Sequence, residues 1–161
     1  MLTLRGIEVA FLDGMAARNN PKVKKPRPPA QPGARTSRIP AGEYTLEYAY
    51  FMPDGSYETP GMVFMYHQDR PNVPVFWMFF AGRYEPEVVP FLRKCLDRAY
   101  EKREFLCGRG PELVVGEKYV YVNSMIKNTI SDFECRESIF GVDGKSYGRH
   151  RCSGGLRVRP G

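Results

Sequence analysis

The stretch DFECRESIF, residues 132–140, alternates so that Phe133, Cys135, Glu137 and Ile139 share one side. A carboxylate therefore interrupts an apolar face. A buried carboxylate without a partner is very costly, so Glu137 must be paired, protonated or set at a cleft. Three arrangements meet that demand: an ion pair with Arg109 or Arg136, exposure on an edge strand, or a ligand-facing acid beside Arg109. Arg109 lies between Gly108 and Gly110 in CGRGPE, residues 107–112. It reads as a solvated turn residue or as an anion contact, the latter helped by backbone N–H groups free in a glycine-rich turn. GRG alone is no phosphate loop, and no longer phosphate signature is present.

In YGRHRCSGG, residues 147–155, His150 stands between Arg149 and Arg151. Cys152 lies two residues on, which suggests a nucleophile and its base. On a strand, however, such neighbours stand about 7 Å apart, too far for a direct hydrogen bond. His67, between Tyr66 and Gln68 beside a turn, receives no role. Two histidines without a shared acidic cluster offer no metal site, and no cofactor is implied. Trp77 carries an indole N–H that needs a partner and can border a cleft. The residues that suit a ligand site are Trp77 and Tyr147 as apolar walls, with Arg109, Arg149 and Glu137 as polar anchors. Tyr44, Tyr48, Tyr50, Tyr119 and Tyr121 decorate strands. They read as sheet packing, or as the stacking surface of a single-stranded nucleic-acid binder.

These residues need elements to position them. LRGIEVAFLDGMAAR, residues 4–18, places Leu4, Ile7, Phe11 and Met15 at helical spacing. NNPKVKKPRPPAQPGARTSRIP, residues 19–40, holds six prolines and no apolar periodicity. It reads as a flexible, basic, proline-rich loop. Its Lys22, Lys24, Lys25 and Arg27 suit a nucleic acid or protein partner. GEYTLEYAYF from Gly42, MVFMYHQ at 62–68 and VPVFWMFFAG at 73–82 read as strands, the third buried on both faces. EVVPFLRKCLDRAYEKREFL, residues 87–106, is the strongest helix, with Val88, Phe91, Leu92, Cys95, Leu96 and Ala99 in one stripe. Pro90 fits its first turn. The Gly-Glu opening then returns at Gly116, and strands follow at 116–123, 132–140 and 145–155.

Residues 42–82 and 116–155, 41 and 40 residues long, both open on Gly-Glu and close on a small residue plus glycine. They read as an internal pseudo-repeat. The expected fold class is α+β, with residues 1–161 as one domain. Two three-stranded antiparallel meanders form a curved sheet or open barrel, joined by one long helix, with an N-terminal helix besides.

The order of several short motifs resembles a known family. These are FLDGMA at 11–16, Ser37-Arg38, WMFFAG at 77–82, FLRKCL at 91–96, RGP at 109–111, FECRESI at 133–139 and GG at 154–155. The chain resembles the bacterial domain-of-unknown-function family 5680, found as lone domains and fused behind helix-turn-helix regulators. Cys135 stands where that pattern has glycine, and MVFMYHQ lacks the glutamate that the family shows there. The resemblance implies a fold and a ligand-sensing role beside DNA-binding modules, and no established reaction.

The net charge of +6 is uneven: residues 1–40 carry eight Lys/Arg against two Asp/Glu, and residues 41–161 carry sixteen against sixteen. A neutral body argues against a domain basic throughout. Cys95, Cys107, Cys135 and Cys152 show no metal-ligand spacing and read as reduced thiols in a reducing compartment. The start is too interrupted for a signal peptide or membrane span, so a cytoplasmic location is expected. The favoured reading is a non-enzymatic binding module for a small polar or nucleotide-like ligand. The alternative is a nucleic-acid- or protein-binding regulator acting through residues 19–40. An enzyme ranks below both, since no nucleophile–base or paired-carboxylate set is defensible.

Overall fold

The computed structural model describes residues 2–20, 22, 33–52 and 59–157. Helix α1 spans Leu4–Asn19, and its first turn is capped by the Thr3 side chain, which accepts from the Gly6 N–H at 3.0 Å. It buries Ile7, Phe11, Leu12 and Met15, while Leu4 is exposed. Strands β1 (Ala34–Ala41), β2 (Tyr44–Phe51), β3 (Gly61–His67) and β4 (Arg70–Tyr84) follow. A single 3₁₀ turn leads into α2, Val89–Glu101, with Pro90 in its first turn. Strands β5 (Leu113–Val115), β6 (Tyr119–Thr129), β7 (Asp132–Gly141) and β8 (Ser146–Leu156) complete the chain.

The eight strands form one antiparallel sheet in the order β1-β2-β3-β4-β8-β7-β6-β5, which does not close. The α+β class and the two expected helices are thus present. The expected three-stranded runs each carry a fourth strand, β1 and β5, at the outer edges. Residues 34–40 belong to the 19–40 stretch that its six prolines and lack of apolar periodicity marked as loop, and here the expectation is corrected: Ala34–Ala41 is strand β1. It pairs along its whole length with β2, from Ala34↔Phe51 to Ala41↔Tyr44. Arginine and proline are common on edge strands, where they discourage further pairing. The remainder of the expected basic loop, including Lys24, Lys25 and Arg27, lies outside the described residues; Lys22 is exposed.

Both helices pack on one face of the sheet, the inner face. Phe76, Met78, Leu46, Met65, Phe133 and Ile139 meet Phe11, Met15, Leu92 and Leu96 in one continuous core. Phe11 and Phe76 lie 5.0 Å apart between ring centroids. Strand β4 alternates: Phe76, Met78 and Phe80 are buried, Trp77 is half-buried and Phe79 is exposed. The expectation that this strand is buried on both faces is therefore corrected, because nothing described covers its outer face. Helix α2 ends at Glu101, earlier than the 87–106 range read for it and just past the last residue of its apolar stripe, Ala99. Arg103 turns the chain with a left-handed φ of 54°. No helix among the described residues is long and apolar enough to cross a membrane.

Candidate functional site

Between α2 and β5 the chain turns sharply. Cys107 and Gly108 take left-handed backbone angles, φ 54° and 66°. A Cβ on Gly108 would lie 2.7 Å from the Phe11 ring, so the position requires glycine. The Cys107 N–H is fixed by Asn128 Oδ1 at 2.8 Å. This turn directs Arg109 towards Glu137 on the inner face of β7.

Arg109 Nε donates to Glu137 Oε2 at 3.0 Å, and Arg109 Nη2 donates to Oε1. The Tyr84 hydroxyl donates to Oε1 at 2.8 Å and the Tyr121 hydroxyl to Oε2 at 2.7 Å. Each carboxylate oxygen thus accepts two hydrogen bonds, and all four side chains are buried. This is the ion-pair arrangement, with Arg109 as partner; Arg136 is exposed. Burial alone would push the Glu137 carboxyl up. The Arg109 charge and hydrogen bonds, His150 and the Tyr121 hydroxyl outweigh it and hold the group at about 2. Burial also opposes the Arg109 charge, which the Glu137 carboxylate overrides, raising the guanidinium further. Burial and then the Glu137 charge push Tyr84 and Tyr121 well up, so both remain donors.

Besides the Cys107 N–H, two more of the turn's amides are occupied. The Arg109 N–H donates to the Leu106 carbonyl at 2.9 Å and the Gly110 N–H to the Tyr121 hydroxyl at 3.1 Å. The amides of Arg109 and Gly110 are therefore not the free N–H groups expected for an anion.

His150, on β8, packs with its ring tilted against Tyr84, the centroids 4.6 Å apart. Its Nε2 lies 3.0 Å from Thr59 Oγ1 and its Nδ1 3.6 Å from Glu137 Oε1. Burial, then Arg109, bring its pKa down to about 4, with Glu137 acting the other way. The imidazole is neutral at neutral pH. Its neighbour on the face, Cys152, is bonded to Cys135 directly opposite on β7. That corrects two expectations: no Cys–His pair exists, and not all four cysteines are thiols, which removes the ground for placing the chain in a reducing compartment. Cys95 and Cys107 are buried thiols, pushed up to about 11 by burial.

Beside the network, between the two helices and the inner face, lies a cavity of about 220 Å³. Arg18, Arg35, Arg93 and Arg109 line it with His150, Tyr48, Tyr50 and Tyr84. Leu92, Leu96 and Val89 form its apolar wall, and no carboxylate is among the described lining residues. The Arg18 guanidinium sits 3.9 Å over the Tyr48 ring, and its buried Nε has no hydrogen-bond partner among the described residues. Arg35 Nη1 is 3.5 Å from the Tyr50 hydroxyl.

Of the five expected site residues, the structure brings together only Arg109 and Glu137. Trp77 and Arg149 stand on the outer face, and Tyr147 packs 5.2 Å from Tyr119 with Lys145 over its ring. Tyr44, Tyr48 and Tyr121 are buried and Tyr50 and Tyr119 half-buried, so they are not an open stacking surface. Sequence reasoning missed Tyr84, Arg18 and Arg35. Arg18 had a signal: it continues the Phe11 and Met15 stripe at helical spacing. Arg35 lay in the segment read as loop. The chain matches no family model, no curated protein and no solved structure.

Proposed function

We propose that the chain is a non-enzymatic binding module whose inner cavity holds a small anion, a phosphate or carboxylate group on a compact metabolite. The carrying observation is the lining: Arg18, Arg35, Arg93 and Arg109 surround one cavity with no described carboxylate among its lining residues. Of these only Arg109 has a carboxylate partner among the described residues, and guanidinium groups gathered without counter-charges favour an anion arriving from outside. The Arg109–Glu137 pair supports the floor of the cavity, as it locks two of the Arg109 nitrogens and leaves Nη1 outside the fork. Ligand sites for larger molecules run to about 300–1,000 Å³, which favours a small anion over a whole nucleotide. The saturated Glu137, neutral His150 and high thiol pKa values support binding rather than acid–base or nucleophilic chemistry. The resemblance to family 5680 supports a sensing role, and the serial pairing of β1–β4 and of β5–β8 supports a duplicated origin for the two halves.

The test is calorimetric titration and thermal melting with pyrophosphate, phosphoglycolate, oxalate and citrate. One or more should raise the Tm saturably, as a ligand bound only by the folded state does. Arg18→Gln loses the contact with the Tyr48 ring, so its anion-free Tm should fall slightly, and it should lose the anion-induced shift. No saturable shift with any of the four, or an equal shift in Arg18→Gln, removes this reading.

A further inference from the structure

No described element covers the outer face of the sheet, and its centre carries two kinds of residue that are costly to expose there. The first is aromatic. Phe64 pairs across strands with Trp77, which lies 5.2 Å from Phe79, and Phe79 is 45% exposed. The second is cationic. Arg83 stands directly opposite Arg149, and Arg151 directly opposite Arg136. Like charges at directly opposed positions destabilise a ladder. Here two such pairs sit side by side on the central strands β4, β8 and β7, where edge protection gives no reason for them. Arg83 has an exposed carboxylate partner, Glu85, at 3.3 Å; Arg136, Arg149 and Arg151 have none among the described residues. A groove of about 750 Å³ adjoins the cluster; Thr36, Met62, Phe79, Arg151 and Ser153 are among its lining residues, with one carboxylate, Glu134.

We propose that this face binds single-stranded nucleic acid, with phosphates on the arginine cluster and unpaired bases stacked on Phe79 and Trp77. The charge complementarity is direct, since a polyanion turns the opposed guanidinium pairs from mutually repelling into jointly bound. The aromatic rings choose the strandedness. A duplex keeps its base faces stacked inside, whereas a single strand offers every base to a ring. Arginine suits both tasks, as its planar guanidinium contacts phosphate oxygens and stacks on bases. The chain's net charge of +6 favours the encounter at low salt. The inference is independent of the inner cavity, which lies on the other side of the sheet.

Trp77 is the only tryptophan in the chain, so its fluorescence reports on this face alone. The full chain is titrated with dT20, rU20, a 20-base-pair duplex and 7:3 phosphatidylcholine–phosphatidylserine vesicles over a salt series. Single strands should quench Trp77 and bind at least tenfold tighter than the duplex. Their affinity should fall with salt, with a log–log slope of about −0.7 per phosphate contacted. Arg149→Gln with Arg151→Gln should weaken binding at least tenfold and flatten the slope by about 1.4. Phe79→Ala should weaken binding about five- to tenfold at an unchanged slope. Arg98→Gln, on the exposed side of α2, is the control for net charge and should bind as the parent. All substituted positions face solvent, and unchanged melts confirm folding. Absence of quenching by single strands, equal binding of duplex, binding of vesicles alone, or equal loss in Arg98→Gln would each overturn the proposal. Arg18→Gln should leave oligonucleotide binding intact, which separates this result from the fate of the inner cavity.

Discussion

Glu137 and His150 make the protein sensitive to acid in two separable steps. Glu137 is held at about 2 against an ordinary value of 4.5. Its contribution is complete above pH 4.5 and is lost as pH falls from there towards 2. His150 sits at about 4 against an ordinary 6.5. Between those values the unfolded chain binds a proton that the native chain refuses, so stability falls as pH drops from 6.5 to 4. At roughly 1.4 kcal/mol per pKa unit, each step amounts to about 3 kcal/mol. The groups facing the imidazole are Arg109, Glu137, Tyr84, Phe80, Thr59 and the Gly82 backbone, and of these Glu137 and the Gly82 backbone favour its protonation. Urea unfolding at pH 7, 5.5 and 4.5 should show a continuous loss of stability in the parent. In His150→Gln the loss should begin only below pH 5. Parallel losses in both proteins would assign the upper step to another group. At this scale the sequence exposed the anomaly, a carboxylate among Phe133, Cys135 and Ile139. It did not expose the remedy. The two tyrosines that saturate Glu137 come from β4 and β6, far away in the chain, and a tyrosine reads the same whether its hydroxyl meets solvent or a carboxylate.

At the scale of the element, β4 shows what periodicity can and cannot convey. The run Phe76-Trp77-Met78-Phe79-Phe80 has no polar alternation, so it looked buried on both faces. Its geometry still alternates, with Phe76, Met78 and Phe80 in the core and Trp77 and Phe79 outside. Phe76 is fully buried and packs 5.8 Å from Phe133. Phe76→Ala should therefore cost about 3–5 kcal/mol. Trp77→Ala loses mainly a cross-strand contact with Phe64 and should cost about 1 kcal/mol. Chemical denaturation of the two variants checks this, and equal costs would mean that something covers the outer face. Helix α2 and strands β2 and β7 were legible because each carries one strong period, and β3 and β8 because turn residues bound them. Strand β1 was not, because its arginines and proline serve the edge and mask the pattern. Strand β5 is three residues long, too short to show a pattern.

At the scale of the molecule, the two halves of the sheet meet along one ladder, β4 with β8, running from Phe76↔Leu156 to Tyr84↔Gly148. Gly82 permits that approach, since a Cβ there would collide with the backbone of Arg149 and the His150 ring. Gly82→Val should therefore damage the whole fold rather than one strand, read as loss of a cooperative melt. If Gly82→Val melts as cooperatively as the parent, the seam is looser than its geometry indicates. The charge distribution was legible at this scale, but which arginines share a face depended on strand order, which no local pattern encodes.

Strand β8 is the last of the eight to leave the ribosome, yet it occupies the middle of the sheet. Until residues 146–156 emerge, β4 and β7 are both bare edges, and the Phe76, Met78 and Phe133 side chains have no strand between them. The nascent sheet thus waits, half-assembled and able to pair with its neighbours, for β8. A chain ended at Lys145 should reach polysomes normally, then precipitate or be degraded, while one carrying β8 in trans as a peptide should be partly rescued. The order of synthesis and the order of the sheet disagree here. Cellular handling of this protein should accordingly depend on what shields β4 and β7 until β8 has been made.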